Sequence, residues 1–180
     1  FDKCLAESKA KARASWKGGA GTGVWADLFK DLTDAQQTVF TGYENTRDAA
    51  RVLAIVCDQQ RVETLQAGQS GVVVLDKTPF YAESGGQIGD TGALEGAGGE
   101  LLFTVEDTQK TAAGYVIHFG EAAETVQVGQ DVTAQVNAEL RRDTMANHSS
   151  VHLLQAALKK IAGSHVTQQG SFVGPEGMRF

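Results

Sequence analysis

Two histidines, His148 and His152, stand four residues apart in a segment that reads as a long helix. Residues at positions i and i+4 of a helix lie on one face, a turn apart. Two imidazoles placed in this way can offer their nitrogens to a single metal ion, and zinc accepts such ligands. Two polar residues at the edge of an ordinary helix give the same spacing, so both interpretations stay open.

The surrounding residues narrow the chemistry of this pair. A zinc metalloprotease needs a glutamate directly after the first histidine as its general base, and this chain has Ser149 there. A zinc site of another kind would need about four ligands. The other sulfur and imidazole groups show no paired ligand spacing; they are Cys4, Cys57, His118 and His165.

The helix that carries the pair has a clear apolar pattern. An advance of about 100° per residue aligns five apolar residues, namely Leu140, Val151, Leu154, Leu158 and Ile161. We expect this stripe to face a core, with the two histidines at its edge, and Gly163 to end the helix. Arg141 and Lys159 fall almost on the line of the histidines, which predicts a basic, polar seam beside the apolar face.

A second segment with chemical potential lies within residues 78–92. Its glycines permit backbone angles closed to other residues and a close approach by a backbone or a ligand; they are Gly85, Gly86, Gly89 and Gly92. Gln87 and Asp90 supply an amide and a carboxylate between them. The dinucleotide-binding fingerprint does not fit, because no helix follows. A plain β turn is one interpretation, and the density of glycines favours a functional loop.

Short strands surround this segment and must position it. They are predicted at residues 38–43, 51–57, 71–76, 101–105, 114–119 and 132–136. Short strands at regular spacing, punctuated by glycine, indicate a closed or nearly closed antiparallel barrel. His118 alternates with apolar neighbours, so we expect it to be an exposed strand residue. After the helix, residues 164–174 predict a strand pair whose polar positions include Gln168 and Ser171.

The chain before the barrel reads as a helical linker. Residues 2–17 are rich in Ala and Lys and predict a helix, and residues 25–32 predict a shorter amphipathic one. The glycine cluster between them, at residues 18–23, lacks the Lys-Ser or Lys-Thr pair of a P-loop. We therefore interpret it as a hinge.

Composition limits the functional classes. The 180 residues carry 16 Lys and Arg against 22 Asp and Glu, a formal net charge of −6. This balance argues against coating DNA or RNA by counterion release, although a local basic seam could still contact RNA. No apolar run is long enough to span a bilayer. Two unpatterned cysteines predict a reduced, cytoplasmic protein. Because the chain runs from Phe1 to Phe180 without a start methionine, we expect a fragment.

Four motifs, taken in order, carry a resemblance to a known family. They are F-T-G-Y at residues 40–43, F-Y-A-E-S-G-G-Q-I-G-D-T-G at 80–92, H-S-S-V-H-L-L at 148–154 and V-T-Q-Q-G-S at 166–171. Together they resemble bacterial-type alanyl-tRNA synthetases over nearly the whole chain from about Phe40. Each motif alone is unspecific, whereas the set in this order is highly specific.

This resemblance implies an α+β fold with three parts. Residues 1–37 would be a helical linker, residues 38–137 an antiparallel β-barrel similar to a translation-factor barrel, and residues 138–180 a long helix that opens a truncated α/β editing domain. The family charges tRNA with alanine, using ATP and Mg²⁺, in a core that lies N-terminal to this segment. Its editing domain hydrolyses tRNA mischarged with serine or glycine. The expected partner is the acceptor end of tRNA, and the fragment alone should be inactive.

The resemblance also implies roles for individual residues. His148 and His152 would hold zinc or orient water, and Gln168 would line the pocket. Arg141 and Lys159 would contact phosphate. The loop that approaches the tRNA acceptor end would consist of Gly85, Gly86, Gln87, Gly89, Asp90 and Gly92.

Two departures from the family pattern bear on that site. The family's zinc site takes a further cysteine and histidine from downstream, so His148 and His152 would be half of it. Val151 stands where the family often has threonine, which removes a hydroxyl that could contact the substrate or a water. Discrimination between amino acids at that point is therefore in question.

Two other functions remain open. The barrel and linker could be a non-catalytic arm that guides tRNA between active sites. The chain could also be a free-standing editing protein or the related editing domain of a threonyl-tRNA synthetase. The segment at residues 40–43 and the long linker argue against both the free-standing editing protein and the threonyl-type editing domain.

Overall fold

The computed structural model describes residues 28–29, 32, 37–163, 165–167 and 170–179. The predicted helix at residues 2–17 and the hinge at 18–23 lie outside these residues, as does most of the predicted helix at 25–32. Of that last segment, Phe29 is buried, and its ring centroid lies 5.7 Å from that of Tyr115.

The elements follow one another as strands, then a helix, then a hairpin. The strands are β1 (Val39–Phe40), β2 (Arg47–Cys57), β3 (Gln60–Val62), β4 (Thr64–Leu65), β5 (Ser70–Leu75), β6 (Lys77–Thr78), β7 (Gly92–Glu95), β8 (Leu101–Lys110), β9 (Val116–Ala122), β10 (Val126–Gln127) and β11 (Asp131–Val136). They are followed by α1 (Ala138–Ala162), β12 (Phe172–Gly174) and β13 (Gly177–Arg179).

Six of these strands close into an antiparallel barrel. The order is β11-β7-β8-β9-β5-β2, and β11 pairs with β2 to complete the ring. Closure removes the free edges that would otherwise expose unpaired backbone groups. The predicted antiparallel barrel is confirmed, with β3 added as a short hairpin partner of β2.

Alternation of side chains fills the barrel. In β11 buried residues alternate with partly exposed ones, as expected of a strand with one face on a core. In β5 every residue after Ser70 is buried, because a second apolar cluster that includes Phe29, Val72 and Tyr115 covers the outer face. That double burial explains the continuous apolar run at residues 71–75.

His118 corrects a prediction. It was expected to be exposed, but its side chain is fully buried beside Phe80, with ring centroids 5.3 Å apart. Nδ1 lies 2.9 Å from the carbonyl of Val73 and Nε2 lies 2.9 Å from Oγ1 of Thr78. Burial lowers the pKa of His118 to about 4, partly opposed by the hydrogen bond to Val73. A buried imidazole with both nitrogens bonded is a stable core residue.

The helix α1 begins and ends where expected. Asn137 caps it by accepting a hydrogen bond from the Leu140 amide at 3.2 Å, and Gly163 follows its last residue with a φ of 110°. A positive φ favours glycine at that position.

The face that α1 buries differs from the predicted one. Its buried side chains are Arg141, Thr144 and Val151, whereas Leu154 is 38% exposed and Ile161 is 85% exposed. These three buried residues lie at positions i, i+3 and i+10, and the helix face that they define is rotated away from the centre of the apolar stripe. The prediction that this stripe faces a core is confirmed for Val151 and wrong for Leu154 and Ile161, because polar contacts with the barrel and the β12–β13 hairpin set the helix rotation.

The predicted strand pair after the helix exists at a later position. It was expected at residues 164–174 and is found as β12 and β13, joined by antiparallel pairing from Phe172–Arg179 to Gly174–Gly177. Asn147 on α1 holds this hairpin, since its side-chain amide donates to the carbonyls of Gly174 and Pro175 at 2.8 and 3.1 Å. Among the described helices, none has the length and apolar character needed to cross a membrane.

Candidate functional site

The glycine-rich segment forms a tight turn that presents Gln87. Ser84 and Gln87 exchange two backbone hydrogen bonds of 3.0 and 3.1 Å across Gly85 and Gly86. The two glycines have φ values of 61° and 86°, the left-handed conformation that a two-residue turn of this type requires at both central positions. The glycine pair therefore fixes the backbone of Gln87.

The same turn packs against the hairpin that follows α1. The Val173 amide donates to the Gly86 carbonyl at 2.8 Å, and the Ile88 amide donates to the Val173 carbonyl at 3.1 Å. A Cβ atom at Gly86 would overlap Oγ of Ser171 and lie 2.7 Å from its carbonyl oxygen. Glycine is thus needed for the close approach of the two segments.

Gln87 contacts the paired-histidine helix. Its side chain is 6% exposed, and its Oε1 lies 2.6 Å from Nδ1 of His148. The rings of His148 and His152 stack with centroids 5.3 Å apart and an interplanar angle of 28°. His148 is half-buried and His152 is exposed. The structure brings the two segments that sequence selected into direct contact.

Asp90 makes a second contact between the glycine-rich segment and α1. Its carboxylate accepts from Nε of Arg141 at 2.9 and 3.0 Å and forms an ion pair with Nη2 of the same guanidinium. Arg141 also donates to the carbonyls of Gly42 at 3.0 Å and Pro79 at 2.6 Å. One side chain therefore joins the F-T-G-Y segment, the glycine-rich segment and the helix.

The prediction of a basic seam on the surface is wrong for Arg141. Arg141 is 8% exposed and its donors face Asp90 and two backbone carbonyls, so it lies inside the junction rather than on an open surface. Lys159 is exposed in the last turn of α1, where a cation interacts favourably with the helix dipole.

Two further glycines of the segment serve close backbone packing. A Cβ atom at Gly89 would overlap the carbonyl of Thr108, and one at Gly92 would overlap the carbonyl of Gln135. Gly92 begins strand β7 and so does not belong to the predicted loop. None of the described residues has an atom within 4 Å of the position that a Cβ would take at Gly85, so the tip of the turn is where another molecule could approach.

The histidine pair fits a metal in ligand type and spacing. The described residues hold no group of three or more His, Cys, Asp or Glu side chains that could surround an ion. His148 and His152 could therefore supply two ligands, and further ligands would have to come from elsewhere. Gln168, expected to line the pocket, lies outside the described residues.

Some contacts of the site had no signal in the sequence. Asp90 and Arg141 are 51 residues apart, and nothing in either local pattern indicates that they meet. The carbonyls of Gly42 and Pro79 are backbone groups that sequence reasoning cannot single out. Asn147 stands directly before His148, and its role in holding the hairpin was also missed.

Similarity to known proteins identifies first the class of this chain and then its family. A family model described as tRNA synthetases class II (A) matches residues 1–140, which include the whole barrel. The alanine–tRNA ligases of Caulobacter vibrioides and Parvibaculum lavamentivorans are 45% and 43% identical to this chain over its whole length. That of Chromohalobacter salexigens is 47% identical, also over the whole chain. The chain belongs to the alanyl-tRNA synthetase family. It spans about a fifth of the length of these relatives, since it covers 20% of each.

Proposed function

We propose that this chain belongs to the part of an alanine–tRNA ligase that binds the acceptor end of tRNA and hydrolyses tRNA mischarged with serine or glycine. The whole protein would charge tRNA with alanine, using ATP and Mg²⁺ in a separate core, in the cytoplasm. The observation that supports the editing role is the contact between Gln87 and His148, which joins the glycine-rich turn to the paired-imidazole helix.

The reaction would be the hydrolysis of an ester. A water attacks the carbonyl carbon of the aminoacyl ester, the bond to the ribose oxygen breaks, and the products are the free amino acid and a tRNA with a free terminal hydroxyl. Such a reaction needs a positioned water and stabilisation of the developing oxyanion. The stacked pair His148 and His152 would orient that water at the exposed side of α1.

The remaining predicted residues would serve binding. The tip of the turn at Gly85, which no described residue covers, would approach the acceptor end. Lys159 would contact a phosphate. Gln168 would line the pocket. When bound, a zinc ion held by His148 and His152 would supply polarisation of a water or a carbonyl oxygen.

Hydrolysis of seryl-tRNA by the complete protein that carries this chain tests the proposal. We expect His152→Ala to lower the rate by at least about 100-fold, the lower end of the range for general acid–base groups. Alanine charging should be unchanged. His165→Ala, an exposed histidine in the same region, is the matched control. Full seryl-tRNA hydrolysis by the His152 variant would overturn the role of the pair.

A second function is supported by the closed barrel. With six strands sealed around an apolar core, this part of the chain could serve as a tRNA-binding arm without chemistry of its own. A shift assay with tRNA separates the two functions. Saturable tRNA binding by the complete protein, with no seryl-tRNA hydrolysis, would favour the arm.

A further inference from the structure

We propose that Gln87 is a positioning residue that fixes the tautomer and orientation of the His148 imidazole. This gives Gln87 a different role from the substrate contact expected from sequence. Its catalytic consequence rests on the proposed editing function, whereas its effect on the imidazole does not.

The first step is the direction of the hydrogen bond. The Oε1 atom of Gln87 is a carbonyl oxygen and can only accept, so at 2.6 Å the Nδ1 atom of His148 must carry the proton. A neutral imidazole protonated at Nδ1 has its lone pair on Nε2, at the opposite edge of the ring. The hydrogen bond at one nitrogen thus decides which atom can bind a metal or accept a proton from water.

The second step is the rigidity of Gln87. Its side chain is 6% exposed, and its backbone exchanges two hydrogen bonds with Ser84. It also lies beside Val173 in a parallel bridge. An amide held in this way loses little further freedom when it orders a neighbouring ring. The glycine turn therefore positions Gln87, and Gln87 positions His148.

The third step is the register of the helix. Asp90 lies three residues after Gln87 and binds Arg141, which lies seven residues before His148. Seven residues correspond to about two turns, roughly 10 Å along the helix axis. The two contacts thus hold α1 at separate points of one face. A rotation of α1 by one residue, about 100°, would remove His148 from Gln87.

The tautomer can be measured directly on this chain. Nitrogen-15 NMR in alkaline buffer distinguishes imidazoles protonated at Nδ1 from those protonated at Nε2. We expect His148 to be protonated at Nδ1 in the unmodified chain and in Gln87→Glu, which keeps an acceptor oxygen. Gln87→Met, which removes the acceptor, should shift the population toward Nε2–H. Gln60→Met, at an exposed position on β3, is the matched control.

Hydrolysis and metal binding supply the second readout. In the complete protein, Gln87→Met should lower kcat for seryl-tRNA hydrolysis by about 10–100-fold, the usual cost of losing such a partner, with KM little changed. Affinity for zinc alone should fall over the same range. Gln87→Glu should restore most of both.

Two results would overturn the inference. One is a His148 that keeps its Nδ1 proton in Gln87→Met, and the other is a His148 protonated at Nε2 in the unmodified chain, which would mean that the amide donates. Failure of the proposed function looks different: the unmodified protein would not hydrolyse seryl-tRNA, while the NMR result would stand as before.

Discussion

The barrel and the helix that follows it are held in place by different kinds of contact. Six strands close around fully buried apolar side chains such as Leu94 and Phe103. The helix α1 has 25 residues, and two of its three buried side chains, Arg141 and Thr144, are polar. Apolar burial is non-directional, whereas hydrogen bonds and ion pairs fix angles and distances. The barrel therefore supplies stability, and the helix is placed by directional contacts that suit a reactive site.

The largest effect should come from breaking the junction between the two regions. Arg141→Met leaves the Asp90 carboxylate buried without its partner, which should cost about 3–5 kcal/mol. Hydrogen exchange should show the loss in the amides of α1, while the centre of the barrel keeps most of its protection. Asp90→Asn combined with Arg141→Met should cost less than the sum of the single changes.

The result that would contradict this is equal exchange in α1 with and without Arg141. Arg142→Met is the control, because Arg142 is exposed and, within the described part of the chain, its ion pair is with the neighbouring Asp143 at 3.6 Å. Exposed pairs of this kind contribute about 0–1 kcal/mol.

The same substitution in the two regions sharpens the comparison. Leu94→Ala in the barrel removes a fully buried side chain and should lower the free energy of unfolding by about 2–5 kcal/mol. Leu153→Ala in α1 removes a side chain that is 73% exposed and should change it by less than about 0.5 kcal/mol. Urea unfolding of both variants measures the two values. Similar losses would mean that α1 is packed as the barrel is.

Acid should act on the barrel through His118. An unfolded histidine has a pKa of about 6.5, and the folded value is about 4. At pH values between these two pKa values, the unfolded chain binds a proton at His118 that the folded chain does not. The contribution of His118 to the free energy of unfolding is therefore complete above about pH 6.5 and falls as the pH decreases. The loss should approach about 3 kcal/mol below pH 4, at about 1.4 kcal/mol per pKa unit.

His118→Gln provides the control for this pH dependence. The variant should be less stable than the unmodified chain at neutral pH, because the imidazole bonds Val73 and Thr78. The difference between the two should shrink on going from pH 7 to pH 4 in urea unfolding. A difference that stays constant over this range would show that the pKa of His118 is the same in the folded and the unfolded chain.

A smaller loss than those from the buried residues should come from the helix cap. Asn137→Ala removes the side-chain oxygen that accepts from the Leu140 amide, which should cost about 1 kcal/mol. Amide exchange in the first turn of α1 should accelerate while the barrel is unaffected. Asn137→Ser, which keeps a capping oxygen, should recover most of the loss.

The two regions also differ in how far sequence predicts them. The barrel follows from local alternation, because each strand's pattern reports which face is buried. The existence of α1 and its end can be predicted from its apolar pattern, from Gly163 and from the long segment without a helix-breaking residue. The inward face of α1 does not follow, because it depends on Arg141 meeting Asp90 from 51 residues away. His118 was misassigned for a similar reason, since its partners Val73 and Thr78 lie on other strands.

The site divides in the same way. Residue type and spacing were enough to select His148, His152 and the glycine-rich segment. They were not enough to show that Gln87 contacts His148 or that Gly86 and Gly89 are needed for packing against other parts of the chain. Those facts depend on distances between segments, which a single sequence does not encode in any local pattern.

A double-mutant cycle between Gln87 and His148 tests whether the glycine-rich turn and helix α1 act together in hydrolysis. Its readout is seryl-tRNA hydrolysis by the complete protein. Gln87→Met should slow hydrolysis about 10–100-fold when His148 is present and have little further effect in the His148→Ala background. Equal slowing by Gln87→Met in both backgrounds would show that the two residues act independently and would contradict the joint site.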